Sequence, residues 1–481
     1  MENYDLIVVG AGPGGIATVI ESHALQPDAR ILLVEAGRSH ARRHCPVDKG
    51  QHCNGCGNIC NVISGFGGSM HYGDGIKLSL LPSGRRLVDL FGEFRASELC
   101  ADAFALIAGA IKVPLEFAGA DVSPSVLGNF LEAGLEIRQY PVAVVAESSL
   151  EEVIDGLFDR AEKACEIAIE TRARRIVRTA DGFKLTLSDR TSSWEVLAPY
   201  VVLATGRRGF DEGSSILEDL KITTRPPSPS VGVRFEMPAK FLGPIGMEHP
   251  DLKITQRVGG TNQKVKTFCF CGGANGGRIK FTRYFSGFGM DIITIDGHET
   301  VERVAGDRPL AGNFGLLCQL TEDRTVADFV ENYSRELGGR PGAQSYNDFF
   351  GRTIATTSSW HALNSALPYE PSLKDLHLSR LDVLFTEDEL NATRIGFERV
   401  MEPILDAQGI TLSSISSQIL VVGPEIEFFW DEVEISESCE TSEPDLFVVG
   451  DKAGVAQGAV QAAMTGIAAA RAIASRSGSG R

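Results

Sequence analysis

The chain has 481 residues, 43% of them hydrophobic and 23% charged, so it is long enough to bury two or three hydrophobic cores. Its 46 Lys and Arg residues face 63 Asp and Glu residues, which gives a formal net charge of −17. This charge would repel nucleic acid and acidic membrane surfaces. The most apolar stretch, 101–120, is interrupted by Asp102, Lys112 and Glu116, and the acidic N-terminus has no secretory pattern. We therefore expect no nucleic-acid partner, no membrane span and a cytoplasmic location.

The first elements follow a strand–helix–strand order. Residues 6–9 form an apolar run typical of a buried parallel strand, and a helix reaching about Leu25 follows a glycine-rich turn. A second apolar run, 31–34, ends at Glu35, where a carboxylate can accept a hydrogen bond from a ribose hydroxyl and disfavours a phosphorylated ribose. The complete pattern predicts a dinucleotide-binding unit, in which glycines allow a tight turn and close approach to a pyrophosphate. Its candidate cofactor-binding residues are Gly10, Gly12, Gly14, Gly15 and Glu35.

The middle of the chain predicts a helix and then short strands. The helix begins after Ser149 and runs to about Lys163. The strand candidates are 166–170, 174–179, 183–187 and 200–203. The last of these strands ends in Ala-Thr-Gly at 204–206, and the Pro-rich segment 225–230 marks the end of the unit.

Near the C-terminus, a strand at 445–449 is followed by a turn and an Ala-rich helix that runs from Gln457 to Ala470. This arrangement resembles the C-terminal segment of the large flavoprotein superfamily with two dinucleotide-binding folds. The resemblance implies FAD, with Asp451 holding the ribityl chain and the helix N-terminus directed at the pyrophosphate. The Ala-Thr-Gly strand resembles a further landmark of the superfamily, beneath the cofactor. The residues assigned in this way are Thr205, Gly206, Gly450, Asp451, Gln457 and Gly458.

The landmarks predict an α/β fold, a Rossmann-like FAD-binding domain with an inserted α+β substrate domain. The chain has no second strand–GxGxxG–helix unit, so we expect NAD(P)H to serve only as a transient reductant. The predicted parts are a discontinuous FAD-binding domain at 1–95, 149–230 and 416–475, an inserted domain at 231–415, a helical segment at 96–148 that could cap either domain, and a disordered tail at 476–481.

Further motifs resemble bacterial FAD-dependent dehydrogenases of the group called NAD(FAD)-utilising. The matching segments are the Cys-rich loop 45–60, Gly65-Phe66-Gly67-Gly68, and the stretches 73–78, 231–234 and 267–273. The resemblance spans nearly the whole chain. It implies FAD and redox chemistry, with Gly67 and Gly68 at the cofactor.

Four cysteines cluster with the spacing C-x7-C-x2-C-x3-C, at Cys45, Cys53, Cys56 and Cys60. Three interpretations are open. Four thiolates would satisfy a zinc ion or an iron–sulfur cluster. Alternatively, Cys56 and Cys60 form a redox pair that reaches the flavin. In the third interpretation, the thiols only pack a glycine-rich loop.

His71 and Tyr72 follow the Gly67-Gly68 pair, so either residue could exchange a proton opposite the flavin N5. His71 is the better candidate because the ordinary pKa of a histidine is near neutrality. The favoured function is hydride exchange between FAD and a small organic substrate held between the two domains. The alternative is a thiol- or iron–sulfur-linked electron-transfer flavoprotein that uses the four-cysteine loop.

Overall fold

A computed structural model provides the structure of the chain. It describes residues 1–71, 74–207, 212–260, 263–273, 275–285, 291–300, 302, 306–321, 323–353, 359–374, 376–427 and 430–478.

The helices of the described part are distributed along the whole chain. They are α1 (Pro13–Leu25), α2 (Arg85–Phe91), α3 (Glu93–Ala108), α4 (Pro124–Glu132), α5 (Glu147–Ala164), α6 (Glu212–Asp219), α7 (Ala239–Glu248), α8 (Val326–Leu337), α9 (Tyr346–Gly351), α10 (Trp360–Ala366), α11 (Glu387–Asp406), α12 (Leu412–Ile415) and α13 (Ala459–Gly478). Within the ranges given above, none of them has the length and apolar character needed to cross a lipid bilayer.

The strands alternate with these helices in the first part of the chain and dominate the second. They are β1 (Glu2–Asn3), β2 (Leu6–Val9), β3 (Ile31–Glu35), β4 (Ile76–Ser79), β5 (Phe117–Ala118), β6 (Val142–Val145), β7 (Glu166–Ile169), β8 (Arg172–Thr179), β9 (Gly182–Ser188), β10 (Ser193–Ala198), β11 (Tyr200–Leu203), β12 (Thr224–Arg225), β13 (Ser230–Pro238), β14 (Thr255–Arg257), β15 (Lys264–Cys271), β16 (Gly277–Tyr284), β17 (Ile292–Glu299), β18 (Ala311–Gln319), β19 (Gly342–Ser345), β20 (Leu420–Glu427), β21 (Glu432–Val433) and β22 (Leu446–Val448).

A parallel five-stranded sheet, in the order β22-β11-β2-β3-β7, forms the centre of the first domain. Successive side chains of a strand point to opposite faces. Accordingly, Leu6 and Val8 pack with α1, α5 and α13, whereas Ile7 and Val9 pack toward the sheet formed by β8, β9 and β10. This layered arrangement confirms the predicted Rossmann-like α/β domain.

Helices α1 and α13 pack closely along one face of that sheet. The contact is close because Gly466 of α13 lies directly against the backbone of Gly14, and a Cβ at Gly466 would overlap the Gly14 carbonyl oxygen. Thr18 donates a hydrogen bond to the Gly466 carbonyl at 3.3 Å. Residues 448 positions apart in the chain thus meet in one close interface between two helices.

The inserted domain contains an antiparallel sheet in the order β14-β15-β18-β13-β20-β19, together with the β16–β17 hairpin. Its core includes residues of α7, α8, α9 and α11, which cover the sheet. The predicted α+β insertion is confirmed, but it extends beyond residue 415, because β20 pairs with β13. The apolar start of β20 fits either sheet, so its pattern did not decide between the two domains.

Segment 96–148 belongs to both domains. Helix α3 packs against α13, whereas α4 packs against α11 of the inserted domain. Two helix boundaries also differ from prediction, since α5 begins at Glu147 and α13 begins at Ala459. Helix α13 continues through Gly478, into the segment predicted as a disordered tail, and residues 479–481 lie outside the described residues.

We expect Gly466→Ala to lower the stability of the protein by about 1–3 kcal/mol, because the new Cβ would push α13 away from α1. The matched control is Gly128→Ala in α4, where a Cβ meets nothing within 4 Å. The control should be neutral or stabilising by up to about 1 kcal/mol. Urea unfolding followed by circular dichroism compares the two, and equal midpoints would contradict the close packing described here.

Candidate functional site

A cavity with an empty volume of about 1230 Å³, here called the large cavity, lies at the carboxyl ends of β2, β11 and β22. Ligands of open α/β sheets bind at this edge. The cavity brings together the glycine turn, the Ala-Thr-Gly segment and the C-terminal turn, which are far apart in sequence. The predicted cofactor residues that line it are Gly10, Gly12, Gly14, Glu35, Gly68, Thr205, Gly206, Gly450, Asp451 and Gly458.

Three other predicted cofactor residues do not line the large cavity. Gly15 packs beneath it, where a Cβ would overlap the Gly10 carbonyl. The Gly67 amide donates to the Ala11 carbonyl at 2.8 Å and so holds the neighbouring loop against the glycine turn. Gln457 donates through Nε2 to Oε1 of Glu427 at 2.8 Å, which connects the Rossmann-like domain to the inserted domain.

The Glu35 carboxylate joins three backbone segments at the wall of the cavity. It accepts hydrogen bonds from the amides of Ala11 at 2.9 Å, Gly37 at 2.6 Å and Gly65 at 3.0 Å. Oε2 receives only the Ala11 bond among these, so this oxygen has a lone pair available for another donor. The proposed ribose contact stays a prediction, and Glu35 also fixes the loop that contains Gly65.

Arg43 is the largest charged side chain buried beside the cavity, with 0% relative exposure. Its guanidinium donates to the carbonyls of Asn61 at 2.9 Å, Val62 at 3.0 Å, Phe66 at 2.8 Å and Gly68. Burial lowers the pKa of Arg43 to about 10, so it stays a cation at neutral pH. Four carbonyl dipoles therefore replace water around this charge, and they hold the 61–68 loop in one shape.

Two features of the large cavity favour a polar ligand. The hydroxyl oxygens of Ser64 and Thr205 are buried in residues that line it and form no hydrogen bond to any described residue. A Cβ at Gly206 would meet nothing within 4 Å, and one at Gly12 would have only Gly68 Cα nearby, at 3.8 Å. Unsatisfied buried hydroxyls and open backbone approach both fit a polar ligand held against the main chain.

Arg207 connects the large cavity to a second, smaller one. Its Nε donates to Asp451 Oδ2 at 3.1 Å, and its Nη1 donates to Asp296 Oδ2 at 3.0 Å in the inserted domain. The smaller cavity, here called the inner cavity, has an empty volume of about 270 Å³ and also includes Arg207 in its wall. The rest of that wall comes from strands of the inserted domain and from the segment after β20. It includes Phe268, Tyr284, Glu425 and Trp430.

Glu425 is a buried carboxyl group in the wall of the inner cavity. Burial raises its pKa to about 8, although the nearby guanidinium of Arg234 opposes the shift. Arg234 donates through Nη1 to Glu425 Oε1 at 3.3 Å and through Nη2 to the Cys269 carbonyl at 2.6 Å. A Cβ at Gly297 would overlap the guanidinium, so the inserted domain leaves space for this ion pair. Burial therefore favours the protonated form of this carboxyl group, whereas the Arg234 guanidinium favours the ionised form.

The structure places His71 away from the large cavity. His71 is 2% exposed, and its Nε2 lies 3.5 Å from Asp48 Oδ2. Burial and the nearby ammonium of Lys280 together lower its pKa to about 4, so the imidazole is neutral near pH 7. Lys280 lies 2.9 Å from Asp48 and 3.1 Å from Asp74, which ties this loop to the β16–β17 hairpin. Tyr72 lies outside the described residues.

The four cysteines Cys45, Cys53, Cys56 and Cys60 are free thiols, and none of them lines the large cavity. Cys45 and Cys60 pack with Val62, and the Cys60 sulfur accepts a bond from the Arg283 amide at 3.4 Å. Burial raises the pKa of Cys45 to about 12 and raises the pKa of Cys56 and Cys60. Among the residues that the structure describes, no group of three or more His, Cys, Asp or Glu is arranged to hold a metal ion. The metal and redox interpretations of the loop gain no support.

The sequence analysis missed Arg43, Arg207 and Glu425 as site residues. Arg207 follows the Ala-Thr-Gly landmark directly, so its position next to the predicted cofactor residues was a usable signal. Arg43 stands in a polar stretch and Glu425 in an apolar strand. For Glu425, the usable signal was a charged residue within an apolar strand, because an isolated buried charge is costly.

No family model matches the sequence, and no characterised protein matches it significantly. Solved structures are similar at low identity. Quinol fumarate reductase FrdA of E. coli has 12% identity and a TM-score of 0.42, over 100% of this chain and 72% of that one. The p-nitrophenol 4-monooxygenase PnpA of Pseudomonas putida has 11% identity and a TM-score of 0.41, over 100% and 82%. Anhydrotetracycline hydroxylase OxyS of Streptomyces rimosus has 14% identity and a TM-score of 0.30; the match covers 70% of this chain and 49%, about half, of that protein. TM-scores below 0.5 do not identify a function for this chain.

We expect Arg43→Met to lower the free energy of unfolding by at least about 3 kcal/mol, because four buried carbonyls would lose a charged donor. The neighbouring Arg42→Met is the control, since the Arg42 side chain is 61% exposed and its pair with Glu170 contributes only about 0–1 kcal/mol. Urea unfolding measures both variants. Equal losses would show that the carbonyl contacts of Arg43 are energetically unimportant.

Glu425 should make the protein less stable as pH rises from about 5 to 8. Its folded pKa of about 8 lies above its ordinary value of 4.5, so the folded state binds more protons than the unfolded state in this interval. The stabilisation from this extra proton is complete below the unfolded pKa and is lost as pH rises through the folded one. Glu425→Gln, which cannot ionise, should flatten the slope. Urea midpoints across this range measure it, and an unchanged slope would rule out the buried protonated carboxyl. Burial also raises the pKa of Glu299, to about 7. Glu299 therefore adds a pH dependence of the same sign to the wild-type protein and to the Glu425→Gln variant.

Proposed function

We propose that the protein is an FAD-dependent oxidoreductase that acts on a small organic substrate held between the Rossmann-like domain and the inserted domain. The observation that carries the proposal is the large cavity, where three separate landmarks converge around unsatisfied hydroxyls. Its wall meets the inner cavity at Arg207. A substrate held beside Arg207, between the two domains, would therefore lie at the edge of the large cavity.

The residues of the chain have distinct tasks under this proposal. Gly12 and Gly206 leave the main chain accessible to the dinucleotide, and Ser64 and Thr205 offer their hydroxyls to it. FAD, when bound, supplies hydride transfer to or from a carbon atom. Glu425 can give a proton to a group in the inner cavity or take one from it, since its pKa lies near neutrality.

Arg207 has the central position in this arrangement. Burial lowers its pKa, but Asp296 and Asp451 outweigh that effect and raise it well above the ordinary value. Arg207 thus remains a cation between the two cavities, where it can orient a polar atom of the substrate. Arg207 thereby contacts both domains, because Asp451 and Asp296 lie on opposite sides of the interface.

The purified protein should be yellow and should release FAD on denaturation, in a one-to-one ratio to protein. Gly12→Val should abolish this binding, because a branched side chain would fill the space that the pyrophosphate needs. Gly128→Val in α4 is the control with equally open surroundings and should retain FAD. Visible absorbance and chromatography of the released nucleotide provide the measurement. A colourless wild-type protein that cannot be reconstituted with FAD would refute the proposed function.

A further inference from the structure

A third cavity, here called the lateral cavity, lies where the two domains meet and has an empty volume of about 790 Å³. Its wall contains Arg86 of α2, the segment 227–230, Lys264 and Lys266 of β15, and Trp430. None of the cofactor residues predicted from the sequence lines it.

Cations dominate the wall of the lateral cavity. Arg86, Lys264 and Lys266 face one carboxylate, Glu432, to which Arg86 donates a hydrogen bond. Lys266 also pairs with Glu427 behind the wall, and the cations still outnumber the acids when that carboxylate is included. The whole chain carries a net charge of −17. A local positive excess on such an acidic protein selects for an anion, because the remaining surface repels one.

Trp430 gives the lateral cavity an aromatic wall. Its indole Nε1 donates to the Asp451 carbonyl at 2.8 Å, so the ring is held in one orientation, and the residue is only 3% exposed. A fixed indole beside cationic side chains suits a planar ring that carries a negative group. The chemistry of this wall therefore differs from that of the inner cavity, where Asp296, Glu425 and Glu427 contribute carboxyl groups.

Neighbouring cavities share wall residues. Trp430 belongs to the walls of both the lateral and the inner cavity, and Arg207 belongs to the walls of both the inner and the large cavity. The lateral cavity and the inner cavity thus share Trp430 as a wall residue. This sequence of cavities connects the cationic site to the predicted cofactor site.

We propose that the lateral cavity binds a planar aromatic anion, a ring that carries a phosphate or a carboxylate group. Arg86, Lys264 and Lys266 attract the anionic group, and Trp430 contacts the ring. That such an anion is the substrate class of the flavin reaction rests on the proposed function. Binding in the lateral cavity does not depend on it.

Fluorescence of Trp430 tests the binding directly. The chain has three tryptophans, of which Trp194 lies in β10 and Trp360 in α10. Two matched pairs of probes, AMP with adenosine and benzoate with benzamide, distinguish the effect of the negative charge from the effect of the aromatic ring. We expect at least one anion to quench the emission and to bind at least about tenfold more tightly than its neutral partner. Quenching by AMP alone identifies a nucleotide phosphate, and quenching by benzoate alone identifies an aryl carboxylate.

Two variants locate the site. Lys264→Glu should weaken binding of the anion at least about tenfold, whereas Lys163→Glu, an exposed lysine of α5, should leave it unchanged. Trp430→Phe should remove most of the quenching. Equal affinity for charged and neutral probes, no quenching by any probe, or equal effects of the two lysine variants would overturn the proposal.

The failure of this proposal is distinguishable from failure of the proposed function. A yellow protein whose fluorescence responds to no probe retains the oxidoreductase proposal and loses the lateral site. A colourless protein that binds the anion with the predicted dependence on Lys264 retains the site and loses its assignment as a substrate site.

Discussion

Two buried charges of opposite sign, on Arg43 and Glu35, determine the shape of the large cavity. Within the described part of the chain, neither charge has a directly bonded ionic partner: the guanidinium donates to four backbone carbonyls, and the carboxylate accepts from three backbone amides. A charge in a low-dielectric environment is costly unless dipoles surround it. The backbone of the 61–68 loop must therefore keep the one arrangement that provides these dipoles, and that arrangement places Gly68 against Gly12.

The inserted domain is joined to this framework by polar contacts. Arg207 bridges Asp451 and Asp296, and Gln457 reaches Glu427. Hydrogen bonds to charged groups are directional and are weakened when either partner moves. These polar contacts therefore fix the positions of the cavities. The cavity walls also keep polar groups that a ligand can contact. A purely apolar interface of the same area would leave no such groups.

Local patterns of the sequence predicted the Rossmann-like domain, because a strand, a glycine turn and a helix between residues 6 and 35 are recognisable from neighbours in the chain. Long-range pairing decided the rest. The apolar run at the start of β20 fits either domain, and only its pairing with β13 assigns it to the insertion. His71 follows Gly68 by three residues, yet its side chain contacts Asp48. Spacing along a loop does not encode the direction in which a side chain points, so proximity in sequence was a poor guide there.

The contact between α1 and α13 has a consequence for biosynthesis. The ribosome releases the N-terminal strand and helix first, whereas the strand β22 and the helix that complete the same domain come from the last part of the chain. Contacts between segments so distant in sequence form slowly, because a long loop must close before they are made. The inserted domain can form its own sheet during synthesis, before its contacts with the last part of the chain are made. The large cavity can be completed only after α13 has been translated, so a ligand that needs all of its walls can bind only after that point.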